Sequence, residues 1–212
     1  MTSRTVRRIL KAVIWVGALT PLIVLLYRFF LGSGLGANPI EKITHWTGRS
    51  ALTLLVVTLA ITPIRRLTGY NQVIQLRRPL GLFAFFYGGL HFSTYVVLDR
   101  FFDFSTVFED IAERPYITVG FAAFLLLIPL AITSTKGWIR RLGKRWKLLH
   151  RLVYISAALG VLHYFWKVKA DTRTPAIFAG VLVVLLLARL PYGRLSQRLR
   201  RDRAREALAA HQ

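Results

Sequence analysis

The chain has 212 residues, 54% of them hydrophobic and 18% charged, with a mean hydropathy of +0.46 and a formal net charge of +21. Soluble domains carry about 25% charged residues, so this composition excludes an ordinary soluble fold, a disordered chain and a fibrous protein. Cysteine is absent, which excludes disulfides, thiolate metal sites, a thiol nucleophile and covalent haem attachment through C-x-x-C-H.

Six apolar segments are predicted, at 12–30, 48–64, 79–98, 116–134, 149–167 and 175–190. The first follows Arg4, Arg7, Arg8 and Lys11. Its apolar part is longer than a signal-peptide core and no A-x-A site follows, so it reads as an uncleaved first span. Gly32, Gly34 and Gly36 behind it mark a turn and not a nucleotide fingerprint, because no strand precedes them. The second and sixth segments are the shortest. The third begins at Pro79 and carries His91; the fifth opens at His150 and carries His163. Each segment approaches the ~20 residues needed to cross a bilayer, and none alternates with period two. Backbone polar groups in lipid must be satisfied internally. The expected fold is therefore all-α: one domain over 1–212, an integral membrane bundle of six transmembrane helices, with no internal repeat apparent.

Charge sets the expected orientation. One set of connections carries Arg65, Arg66, Arg77, Arg78, Lys136, Arg140, Arg141, Lys144, Arg145, Lys147 and Arg151, together with the basic N-terminus and the C-terminal tail. The opposite set holds most of the acids: Glu41, Asp103, Glu109, Asp110, Glu113 and Asp171. Basic residues stay cytoplasmic, so both termini are expected in the cytoplasm. The net charge then reflects topology and gives no reason to expect nucleic acid.

Ionisable residues inside a membrane are costly and usually functional. At ~1.5 Å rise per residue, His91 lies ~18 Å from the cytoplasmic start of its helix and His163 ~20 Å beyond His150. Both helices run outward, so the two imidazoles reach similar depths in the outer half. Such a pair can supply both axial ligands of a b-type haem in an apolar slot. No Asp or Glu lies well inside a span, which weakens a proton-relay transporter as the alternative. His45 is expected in an outer loop. His150 and His163 fall ~140° apart on an ideal helix and do not share a face. One outer haem cannot alone bridge a ~30 Å core, so a second carrier is expected near His150: another haem, a flavin or a bound quinol. The third helix offers Arg77 and Arg78 at that inner level in place of a histidine. These arginines suit haem propionates, a flavin phosphate or anionic lipid.

The stretches RRPLGLFAFFYGGLHFSTY (77–95) and TSTKGWIRRLGKRWKLLHRLVY (133–154) resemble the ferric-reductase-like transmembrane family, and its MsrQ (YedZ) branch more closely. GLGANPIEKITHWTGRSAL, ITPIRRL, ERPYITVG and HYFWKVK support the likeness, which extends over about residues 8–200. The resemblance implies haem b, with FMN also associated, in a multi-pass protein of the bacterial inner membrane. It implies that electrons from quinol or a cytosolic flavin reductase pass to a periplasmic molybdopterin methionine sulfoxide reductase subunit, for repair of oxidised envelope proteins. Its haem ligands fall on His91, His150 and His163. The protein is thus expected to be an electron-transfer subunit and not the catalytic one, with Glu109, Asp110 and Glu113 helping to dock the reductase. The rival readings are a haem-containing ferric reductase and a non-redox transporter or scaffold.

Overall fold

The computed structural model describes residues 3–32, 34–168 and 170–189. Every regular element among them is helical. The elements are α1 (Ser3–Phe30), α2 (Pro39–Thr68), a 3-10 turn (Asn71–Leu76), α3 (Arg77–Thr94) running into a π turn (Tyr95–Asp99), α4 (Phe104–Glu113), α5 (Pro115–Ile132), α6 (Lys136–Leu142), α7 (Lys144–Leu149), α8 (Leu152–Lys167) and α9 (Arg173–Leu187). Five helical stretches are long and apolar enough to cross a membrane: Thr5–Phe30, Pro39–Thr68, Asn71–Asp99, Pro115–Ile132 and Lys144–Lys167. Helix α9 is apolar but shorter, at 15 residues. The end of the sixth expected segment, at 190, and the basic tail lie outside the described residues.

Helix α2 begins at Pro39, well before the predicted 48. The cause is local chemistry that hydropathy does not register. The Asn38 side chain accepts the Glu41 backbone N–H at 3.2 Å, proline occupies the first helical position, and Glu41 lies in the first turn. Gly69, left-handed at φ 68°, closes the other end by donating its N–H to the Arg65 carbonyl. His45 therefore stands on a helix and not in a loop.

The core is made by α2, α3, α5 and α8, and α1 packs outside it. Leu59, Ala84, Tyr87 and Ala157 are fully buried there. Pro21 removes one N–H from the α1 hydrogen-bond ladder, and two side chains bond to the backbone around it. The Tyr87 hydroxyl donates to the Ala18 carbonyl at 2.7 Å and accepts the Leu22 N–H at 3.1 Å, and Trp46 Nε1 donates to the Pro21 carbonyl at 2.8 Å. Large apolar residues such as Val13, Val16, Ile23, Val183 and Val184 are exposed on α1 and α9, as lipid-facing surfaces are in a bundle.

The bundle contains a repeat that the apolar pattern alone does not reveal. The hairpin α2–α3 is echoed by α5–α8, with GGLHF (88–92) matching GVLHY (160–164) and Gly48 matching Gly120, each 72 positions later. At the inner end LAIT (59–62) recurs at 130–133, one residue out of that register. Each hairpin packs a descending helix against an ascending one, so the two are parallel copies about an axis along the bundle.

Candidate functional site

The histidines at the repeated positions meet. His91 on α3 and His163 on α8 have ring centroids 6.0 Å apart with planes at 74°. Each ring is held in the same way. His91 Nδ1 lies 2.9 Å from the Thr44 carbonyl oxygen on α2, and His163 Nδ1 lies 2.7 Å from the Tyr116 carbonyl oxygen on α5. A carbonyl only accepts, so both Nδ1 atoms carry the proton and both Nε2 atoms keep a free lone pair. One helical turn beyond each carbonyl is a glycine that makes room for the ring. A Cβ on Gly48 would stand 2.9 Å from His91 Nδ1, and one on Gly120 would stand 2.5 Å from His163 Nδ1.

These rings line a cavity of about 580 Å³ that also touches Leu52, Phe92, Phe124 and Tyr164. The site fits a haem on three counts. Two imidazoles bound trans to one metal at ~2.0 Å place their ring centres ~6 Å apart. Among the described residues no group of three or more His, Cys, Asp or Glu side chains could hold a bare ion, and two imidazoles suit a metal that brings its other ligands with it, as in a porphyrin. The cavity is apolar at its centre and polar toward the outer end, where Arg49, Arg100, Arg114 and Lys167 line it.

His150 is placed differently. It falls on the turn between α7 and α8, so the angle expected from one continuous helix does not apply. Its ring stacks on Trp146 at 4.0 Å. The Thr133 hydroxyl donates to the Pro129 carbonyl at 2.6 Å and so accepts the His150 Nε2 proton at 3.1 Å. This is the opposite tautomer from the outer pair, with Nε2 already occupied. Thr62, the repeat counterpart of Thr133, has a buried hydroxyl with no partner among the described residues. The counterpart of His150 is Arg78, which is exposed. The inner end thus holds one histidine where the outer end holds two. Arg77 lies in electrostatic reach of His150, Tyr154 and Arg189. Arg189 donates to the Tyr154 hydroxyl and the Leu59 carbonyl, which ties α9 to α8 and α2.

The outer connection corrects one expectation. Asp110 is 4% exposed and is bound by Arg100 at 2.5 Å, by Arg114 at 2.9 Å and by the Tyr95 hydroxyl at 2.6 Å. It is a latch between α4 and the end of α3 and cannot face a docking protein; only Glu109 and Glu113 are exposed. The bond to Tyr95 and the neighbouring Asp110 carboxylate hold the Arg100 guanidinium above its ordinary range. Phe101 and Phe102, with φ of 48° and 63°, make the left-handed reversal before α4, and Asp103 caps that helix by accepting the Thr106 N–H at 3.2 Å. Sequence reading missed the two glycines, the two carbonyls and the latch.

Residues 47–161 match the family described as ferric reductase like transmembrane component. The chain is 55% identical over 185 residues to the protein-methionine-sulfoxide reductase heme-binding subunit MsrQ of Herminiimonas arsenicoxydans, covering 86% of this chain and 84% of the relative. It is 51% identical over 181 residues to the protein of the same name from Xanthomonas axonopodis pv. citri (83% of each chain), and 49% identical over 193 residues to that of Xanthomonas campestris pv. campestris (89% and 88%). The chain, with its repeated pair of histidine-bearing hairpins, belongs to the MsrQ family of ferric-reductase-like transmembrane proteins.

Proposed function

We propose that this protein is a membrane b-type cytochrome that passes electrons from the cytoplasmic side to a periplasmic molybdopterin-containing methionine sulfoxide reductase subunit. The observation that carries the reading is the His91–His163 pair, facing across one cavity with both Nε2 atoms free. The relatives' printed name, a heme-binding subunit of methionine sulfoxide reduction, supports the same cofactor and acceptor.

A haem held by His91 and His163 would supply one-electron exchange. The protein's own part is to fix both imidazoles through Thr44 and Tyr116, leave space at Gly48 and Gly120, and exclude water with Phe92, Phe121 and Phe124. In this reading the bacterial inner membrane holds six spans with α9 as the sixth, and both termini are cytoplasmic. The second carrier belongs near His150, Arg77 and Arg78, where a haem, FMN or quinol brings electrons from quinol or a flavin reductase. With Nε2 bonded to Thr133, His150 would offer a metal there its Nδ1 nitrogen. The basic tail at 192–205, a candidate for docking a donor, lies outside the described residues.

Purified protein from iron-replete cells is expected to be red, with b-type bands on reduction, and to be reoxidised by the oxidised periplasmic reductase subunit. Reoxidation by chelated ferric iron alone would replace this acceptor with a metal. Colourless protein would end the reading.

A further inference from the structure

Because the cavity is built from two copies of one hairpin, the places where the copies differ show how it treats its ligand. The residue after the ring-contacting glycine is Arg49 in the first copy and Phe121 in the second. The residue four beyond the histidine is Tyr95 in the first and Lys167 in the second. Phe121 packs on Phe92 at 5.5 Å, Phe92 stacks on Phe124 at 5.5 Å, and Tyr95 is bound to Asp110. That part of the lining is apolar or already satisfied.

Arg49 and Lys167 are not satisfied in this way. Arg49 Nη2 donates to the Tyr164 hydroxyl at 3.0 Å, and Lys167 Nζ lies 5.9 Å from the centre of the Tyr116 ring. Among the described residues neither has a carboxylate within 4.0 Å, whereas Arg100 and Arg114, the other two arginines lining the cavity, share Asp110. His45, half-exposed on α2, stands in electrostatic reach of both cations. Arg49 follows the glycine under His91, and Lys167 is one turn outward from His163. Two cations without a carboxylate within 4.0 Å among the described residues therefore flank the two histidines at the outer end of one cavity, whose lining also holds Glu41 and Asp99.

We propose that Arg49 and Lys167 clamp the two propionates of the haem, so that its carboxylate edge points outward and its apolar edge lies against Phe92, Phe121 and Phe124. This rests on the haem reading above. Charge-assisted bonds of this kind are about twice as strong as neutral ones, and the arginine fork suits a carboxylate.

The test titrates the full-length apoprotein in detergent with protohaem and with its dimethyl ester, which keeps the ring and iron but removes both charges. Wild type is expected to bind protohaem about tenfold more tightly than the diester. That preference should fall toward one in R49Q/K167Q and recover in part in R49K/K167Q. Removing the cations should also lower the haem reduction potential, because ferric haem carries the extra positive charge. The same preference in the double variant as in wild type, with an unchanged spectrum, overturns the clamp alone and leaves the cations to outer-leaflet phosphates. Failure of wild type to give a bis-imidazole spectrum with either compound overturns the haem reading and the clamp with it.

Discussion

His163 donates its Nδ1 proton to the backbone carbonyl of Tyr116, 47 residues earlier, and His91 repeats this bond to Thr44 at the same separation. The equality follows from the duplicated hairpin. In each copy a helix descends, exposes one carbonyl beside a glycine, and the returning helix lays an imidazole on that spot. Each ring is thereby held in one tautomer and one orientation, as outer hydrogen bonds hold metal-bound histidines in other proteins.

The glycines give the first prediction. Gly120→Ala brings a methyl group to 2.5 Å from His163 Nδ1, inside any possible contact, while Gly48→Ala brings one to 2.9 Å from His91 Nδ1. Overpacking of this kind costs about 1–3 kcal/mol, and here it also displaces an imidazole ring. Haem per protein, measured on purified variants, should fall severalfold in Gly120→Ala and less in Gly48→Ala. Equal, undiminished haem content in both would mean the rings have freedom that the structure denies them.

A second prediction concerns the latch. Asp110→Asn removes the charge that faces Arg100 and Arg114 at a buried site. Both arginines reach water, so the cost is that of the lost charge-assisted hydrogen bonds, about 1.5–3 kcal/mol. Thermal unfolding in detergent should shift down, and protease should cut more readily between residues 100 and 114. Glu109→Gln and Glu113→Gln, on the exposed face, should leave both readouts unchanged. If instead they match Asp110→Asn in destabilising the protein, the buried latch is not what holds α4.

Acidification tests the start of the same helix. The Thr106 hydroxyl and backbone N–H hold the Asp103 carboxyl below its ordinary value. A depressed carboxylate contributes stability that is fully present above its unfolded pKa of ~3.9 and is lost as pH falls through the lower folded value. Amide exchange at Thr106, corrected for intrinsic rate, should therefore stay slow from neutral pH to about 4 and accelerate below it. Asp103→Asn, which keeps a capping oxygen, should flatten that dependence. Acceleration already complete well above the ordinary carboxylate range would contradict the cap.

Much of this was legible in the residues. The apolar segments gave the helices, and equal depth on two outward helices singled out His91 and His163. The repeat was equally present, in GGLHF and GVLHY, but apolar windows register hydrophobicity and not spacing, so it went unseen. Asn38, Pro39 and Glu41 announce the true start of α2; reading them would have placed His45 on a helix. Other features have no local signal. Phe101 and Phe102 adopt positive φ without being glycine or asparagine. The tautomer of His150 depends on Thr133, which only packing brings to it. That Asp110 is buried while Glu109 and Glu113 are exposed is a matter of helix phase on α4, a helix the hydropathy reading did not detect.

The central assignment is that His91 and His163, and not His150, hold the outer haem iron. The most direct check is the low-temperature electron paramagnetic resonance spectrum of oxidised wild type beside His91→Ala, His163→Ala and His150→Ala. The low-spin ferric signal of the outer site should vanish or turn high-spin in both His91→Ala and His163→Ala and persist in His150→Ala. Persistence in either of the first two variants, or its loss on replacing His150 alone, would contradict the pairing.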